Sequence, residues 1–402
     1  MSTAYGETHF APRTLAGATI LQIVPALREE PNARTAINIA RALLQAGARA
    51  LVAADDGPLA GELKAFGGEW VPLHNATANP FKLRRNARVL EELIAGERVD
   101  IVHAQSIGGA WSARLAAAQI AVWFVTTLPD VPPRSRMRAF LSSPLAQGDR
   151  IIAPSVFAAA PMMQRYGIAR EQITVIPRAI DTAAFDPTAV RPQRIAALRQ
   201  AWRIAPGERI VLVPGRVAPW AGQNLLPEIA RLLLDEGHRG FVFVVAGESR
   251  SHARYARAVE KLARSQGVHQ SIRLVGHCAD MPAAFAAAEL VVVPAIEPPI
   301  LGRVVAQAQA MARPVVTASI GTLPEHVAVP PQISDDLRTG WSVKAGDPPD
   351  FARAIAQALS LDDTAYETMT ARSREFAEYM FSPRSIAVAT RAVYTSLLAR
   401  DR

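Results

Sequence analysis

Residues Glu297 to Glu325 read EPPILGRVVAQAQAMARPVVTASIGTLPE, passing from a polar loop through a short helix and a buried strand to a second polar loop. The apolar run Leu290 to Val293 ends at Pro294, and a turn containing Gly302 follows. Val304, Val305, Ala308 and Met311 then recur at helical spacing before Pro314 opens a new β-branched run. Strand, helix and strand in that order form one step of a parallel sheet, so both polar loops belong at the same sheet edge. Glu297, Gly302, Arg303 and Gln307 are expected around the helix N-terminus, with Gln307 on its first turn, where free N–H groups and the helix dipole favour an anion.

The same alternation runs outward in both directions. Strand-like runs occur at Thr19 to Val24, Ala50 to Ala54, Ile101 to His103, Val122 to Thr126, Arg150 to Ala153 and Ile173 to Ile176. Others follow at Ile210 to Val213, Phe241 to Val245, Ile272 to Val275, Leu290 to Val293 and Val315 to Ala318. Apolar strands separated by amphipathic helices indicate doubly wound parallel sheets. A break between Asp186-Pro187 and Pro206-Gly207 predicts two Rossmann-like domains, 1–188 and 189–384, with 385–402 returning as a helix to the first.

A chain of 402 residues is long enough for two ordinary cores, and 50% hydrophobic composition argues against disorder. No run approaches the roughly eighteen apolar residues of a spanning helix. The stretch before Ala18 lacks the order of a secretion signal, so a cytoplasmic location is expected. The single cysteine, Cys278, rules out an internal disulfide. The net charge of +8 is carried mostly by arginine, which reflects either base composition or a cationic face for phosphates or an anionic membrane. There is no G-x-G-x-x-G after the first strand, no P-loop, no H-E-x-x-H and no G-x-S-x-G. Nothing has metal-ligand spacing, and the basic clusters lack the interleaved aromatics of a nucleic-acid channel, so neither a metal nor nucleic acid is expected.

From about Ile20 to Leu397 the chain resembles the retaining GT-B glycosyltransferases of family 4, notably those of the lipopolysaccharide-core type. The resemblance rests on ILQIVPAL, DIVHAQS with AWSARLAA, WFVTT, GDRIIAPS, VIPRAID, LVPGRVAPWAGQ, LVGH with DMPAAFAAAE, the Glu297 to Glu325 stretch and TGWSVKAGDP. It implies an α/β architecture of two facing Rossmann-like doubly wound parallel-sheet domains with an interdomain cleft. It also implies hexose transfer from a nucleotide sugar, in cell-envelope polysaccharide biosynthesis, to a glycan or lipid-linked acceptor. The donor would be a co-substrate, with no further cofactor and no metal.

On that resemblance Arg216 would hold the diphosphate, since a guanidinium can grip it in bidentate fashion while the leaving nucleotide gains charge. Gln307 would take the ribose hydroxyls, and Leu301, Gly302 and Arg303 would offer N–H groups. His277 fits the region receiving base or phosphate, or is structural. Glu297 partly replaces a missing carboxylate, or is a solvated charge. Glu325 matches the family's G-G-x-x-E, with Thr322 at its second Gly crowding that loop. On the acceptor side stand His103, Gln105 and Asp130, the last being a stand-in for a family His or a turn residue.

Several departures cluster at these loops. Pro299 and Gln307 replace the carboxylates of an E-x7-E pair, Ala221 a lysine, Glu30-Pro31 a Gly-Gly pair, and Pro129 lies where a sugar-facing His is common. The scaffold matches around them are intact, which raises a second reading: a catalytically impaired relative acting as a binding or scaffold protein. Two basic clusters, Lys82, Arg84, Arg85 and Arg88, then Arg134, Arg136 and Arg138 beside Phe140-Leu141, suit either a solvated face or peripheral contact with an anionic membrane.

Overall fold

The structure, a computed structural model, describes residues 13–118, 120–129, 135–298 and 302–400. Asp130, Arg134, Pro299 and Leu301 lie outside the described residues. The chain divides into two compact units, Met1–Ala179 with Pro383–Arg402, and Ile180–Ser382.

The first unit holds β1 (Thr19–Ala26), β2 (Arg49–Asp55), β3 (Glu69–Pro72), β4 (Ile101–Ala104), β5 (Trp123–Thr127), β6 (Arg150–Ala153) and β7 (Ile173–Val175). They form one parallel sheet in the order β3-β2-β1-β4-β5-β6-β7. The twofold period of β1 divides its side chains between two cores: Ile20 and Val24 enter one, Leu21 and Ile23 the other. The helix Pro383–Leu398 packs on the helix Pro31–Gln45 and completes the first of these cores with Tyr394 and Leu397.

The second unit holds β8 (Arg209–Pro214), β9 (Phe241–Ala246), β10 (Ile272–Gly276), β11 (Leu290–Val293), β12 (Val315–Ala318) and β13 (Gly340–Val343). Its parallel order is β10-β9-β8-β11-β12-β13. The sequence reading did not include β3 and β13, which are edge strands. Residues 180–188, grouped by sequence with the first domain, pack here instead. Ile180 joins Ala306, Ala310 and Phe381, and the Phe185 ring lies 5.9 Å from Phe285.

Strand order reverses between β1 and β4 in one sheet and between β8 and β11 in the other. The crevice beyond the carboxyl ends at such a reversal is where an open α/β sheet takes ligands. Among the described residues no helix is long and apolar enough to cross a membrane.

Candidate functional site

In the second unit, the loops following β8 and β11 are fastened together. The Trp220 carbonyl accepts the N–H groups of Ile296 (3.0 Å) and Glu297 (3.2 Å). Gly222, at φ 75°, presses so closely on Pro294 that any β-carbon would overlap its carbonyl oxygen. Only glycine combines this backbone with this approach.

Arg216 follows β8 directly, and its backbone is pinned. Its carbonyl accepts from Gln223 Nε2 at 3.0 Å, and the next N–H, of Val217, donates to the Glu248 carbonyl at 3.0 Å. The guanidinium is exposed and has no hydrogen bond or ion pair among the described residues. A cation fixed at its root and unpaired at its tip is suited to receive a mobile anion.

Beyond β11 the helix Arg303–Ala310 begins at Gly302, with no side-chain cap. Val305 and Ala306 donate back to the Gly302 carbonyl, while the amides of Arg303 and Val304 meet no acceptor among the described residues. Gln307 lies on the second turn rather than the first, because the helix starts only at Arg303. It is half-buried, and its amide makes no bond among the described residues. Glu297 is exposed, and its N–H is held by the Trp220 carbonyl.

The loop after β12 is attached to the same helix tip through His326, a residue the sequence reading passed over. Its ring stacks on Phe381 with centroids 5.0 Å apart, and Nδ1 donates to the Thr322 carbonyl at 2.8 Å. Gly302 abuts this ring so closely that a β-carbon would collide with it, and Gln309 Nε2 donates to the His326 carbonyl. Burial holds the imidazole below its usual pKa, against the opposing pull of the Thr322 carbonyl and Glu325. Glu325 is half-buried in the turn Leu323–His326. The Thr322 side chain is itself buried. His277 is exposed in the loop after β10, with β9 lying between that strand and β8.

In the first unit His103 is 1% exposed, and both ring nitrogens are engaged: Nδ1 with Tyr394 Oη and Nε2 with Thr127 Oγ1, each at 2.7 Å. Burial, reinforced by the Arg178 cation, pushes its pKa down to about 3. The ring is therefore neutral and joins β4, β5 and the C-terminal helix; neither nitrogen is left for an acceptor. Gln105 donates to Gln22 Oε1 at 3.0 Å, and Gln22 in turn donates to the Ala36 carbonyl at 3.0 Å. Both His103 and Gln105 line a small cavity with Thr35, Thr127, Arg178 and Thr390. Arg178 belongs to the VIPRAID motif, and its place as a cation in the loop just after β7 was the available sequence signal for it.

The loop after β1 is built differently from a phosphate loop. Glu30 precedes Pro31 with no side-chain cap, and Arg34 is gripped by Glu29 at 2.6 Å and by Glu62, which also binds Arg41 at 3.0 Å. Among the described residues no three His, Cys, Asp or Glu side chains are grouped as a metal ion requires.

Residues 33–184 match the family described as Glycosyltransferase Family 4, and residues 208–361 match that described as Glycosyl transferases group 1. The D-inositol 3-phosphate glycosyltransferase of Nocardia farcinica is 31% identical over 219 residues, 54% of this chain and 46% of that protein. The chain thus spans about half the length of the curated relatives it matches. A glycosyltransferase structure from Rickettsia africae aligns with a TM-score of 0.73 at 25% identity, over 95% of this chain and 99% of that one. HepE of Anabaena, solved in complex with UDP, aligns at 0.68 and 19% identity over 94% of this chain and 100% of that one, a likeness of fold.

Proposed function

Because this chain belongs to the GT-B glycosyltransferases of family 4, we propose that it transfers a hexose from a nucleotide sugar to a glycan or lipid-linked acceptor. The observation that carries this is the unpaired Arg216 guanidinium at the end of β8, in a loop fastened through Trp220 and Gly222 to the one that leads to the Gly302–Arg303 helix tip. The donor diphosphate binds Arg216 and the helix-tip amides, and Gln307 bonds the ribose hydroxyls. That a neighbour of the same fold holds UDP supports a uridine nucleotide as the first probe.

The reading includes retention without a metal. The bond from the anomeric carbon to the diphosphate oxygen breaks, a bond to the acceptor oxygen forms on the same face, and the acceptor proton passes to the leaving diphosphate. Arg216 stabilises the charge that grows on that leaving group. His103, neutral and tied at both nitrogens, positions β4 and the C-terminal helix rather than touching substrate.

A second reading, binding without turnover, has its own support in the neutral Gln307 and in the ion-paired loop after β1. Calorimetry with UDP, GDP and ADP sugars tests the first. Binding that falls roughly ten- to a hundredfold in Arg216→Ala is expected, the loss of a charge-assisted contact. Binding with no sugar released or transferred supports the second reading, and no binding to any nucleotide overturns the donor assignment.

A further inference from the structure

The amides of Arg303 and Val304 can grip a diphosphate only if the helix tip that carries them stays in one place, and this helix has no side-chain cap to hold it there. Its far end is fixed. Arg374 Nη1 donates to the Ala310 carbonyl at 2.6 Å, and Ala306 and Ala310 pack with Ile180, Ala377 and Phe381. The tip itself rests on His326.

Gly302 shows how close that contact is. At φ −75° and ψ 14° its backbone lies on the negative-φ side, so conformation alone makes no demand for glycine. What excludes a side chain is the imidazole. A β-carbon on Gly302 would overlap Nδ1, Cγ and Cε1 to nearly the same degree, which places it over the flat of the ring. The ring is held parallel to Phe381, with 5° between their planes, and the Phe381 carbonyl accepts the Ile180 N–H at 2.9 Å.

The same residue reaches two further parts of the site. Its Nδ1–H donates to the Thr322 carbonyl, which also takes the Glu325 N–H at 3.1 Å, and its own carbonyl accepts Gln309 Nε2–H from the last turn of the helix. The Thr322 hydroxyl is buried with no partner among the described residues, so Thr322 is held to the ring by its carbonyl and not by its side chain. One imidazole sets the helix tip and the loop after β12 against each other.

We propose that His326 is a positioning residue for donor binding, its ring forming the seat on which Gly302 rests so that the Arg303 and Val304 amides face the donor diphosphate from a fixed place. At 8% exposure it is covered from substrate and acts through Gly302 and Thr322. Donors held in advance need no ordering when the anion arrives. The inference deepens the proposed function and rests on its donor assignment.

Calorimetry of the full chain with UDP, or with whichever of GDP and ADP the unaltered chain binds, tests it, with urea midpoints read on every variant. His326→Asn keeps a side-chain N–H for Thr322 but removes the ring, and should weaken binding on the order of tenfold. His326→Phe keeps a flat ring and drops only that N–H, so a loss of no more than about threefold is expected. Gly302→Ala should also weaken binding, and His326→Asn added to it should restore part of the loss by making room for the β-carbon. Unchanged affinity in His326→Asn, a His326→Phe variant no better than His326→Asn, or effects at 302 and 326 that simply multiply would overturn the inference. If His326→Asn does not fold, His326→Phe alone decides, a loss well beyond threefold counting against the seat. Binding that Arg216→Ala weakens but residue 326 does not would sink this inference and leave the donor assignment standing, whereas no binding of any of the three nucleotides would remove both.

Discussion

Tyr394 Oη lies 2.7 Å from His103 Nδ1, joining residues 291 positions apart, and both side chains are buried. Burial raises the Tyr394 pKa far above its usual range and lowers that of His103, so a neutral phenol meets a neutral imidazole. The bond links the returning C-terminal helix, already packed on the helix Pro31–Gln45, to β4 in the middle of the first sheet.

Tyr394→Phe should therefore leave a buried imidazole nitrogen without a partner while keeping the packing volume. A loss of about 1–3 kcal/mol in stability is expected, read as a lower urea midpoint with the same slope. An unchanged midpoint would show that the bond contributes nothing net.

Acid should weaken the protein through the same ring. His103 is held at about 3, whereas an unfolded histidine titrates near 6.5, so below about pH 6.5 the unfolded chain takes up a proton that the native state refuses. The contribution is fully present above pH 6.5 and is lost as pH falls toward 3, by about 1.4 kcal/mol per pH unit. His326, also lowered by burial, acts in the same direction. Urea titrations at pH 7 and pH 5 should differ accordingly, and His103→Gln should flatten the difference. A midpoint independent of pH would contradict the buried, neutral state of this ring.

What could be read from the chain followed from local pattern. Ile210 to Val213 and Val315 to Ala318 announce buried strands because parallel strands covered on both faces need unbroken apolar runs. Glu69–Pro72 and Gly340–Val343 gave no such signal: as edge strands they pair on one side only, and EWVP and GWSV hold little β-branched sequence. The loops bearing Arg216 and Gly302 were legible from proline and glycine punctuation. The roles of His326 and His103 were not, since their partners Phe381 and Tyr394 lie far along the chain and no spacing rule connects them.

Gly222→Ala should damage the crevice more than backbone strain alone explains. Gly237, at φ 88°, has open space where a β-carbon would stand, so Gly237→Ala measures the cost of the left-handed backbone by itself, about 1–2 kcal/mol. At Gly222 the same cost is joined by overlap with the Pro294 carbonyl, which must move the loop. The alanine variant at 222 is expected to lose more stability than that at 237 and to bind UDP more weakly. Equal effects would show that the contact between these loops is not part of the site.

Ala221→Lys together with Gln307→Glu should raise donor affinity. Ala221 ends the turn Pro219–Ala221 and immediately precedes Gly222, whose contact with Pro294 sets that turn against the loop after β11. A lysine there adds a second cation beside the Arg216 loop, and that position needs no buried partner. Gln307 makes no side-chain bond among the described residues, so glutamate of the same shape replaces it without breaking one and accepts more strongly from ribose hydroxyls. A gain of about tenfold in UDP affinity is expected from the pair, with the lysine's share fading in high salt and the glutamate's share persisting. If the double variant binds no better, the two loops do not converge on a single nucleotide.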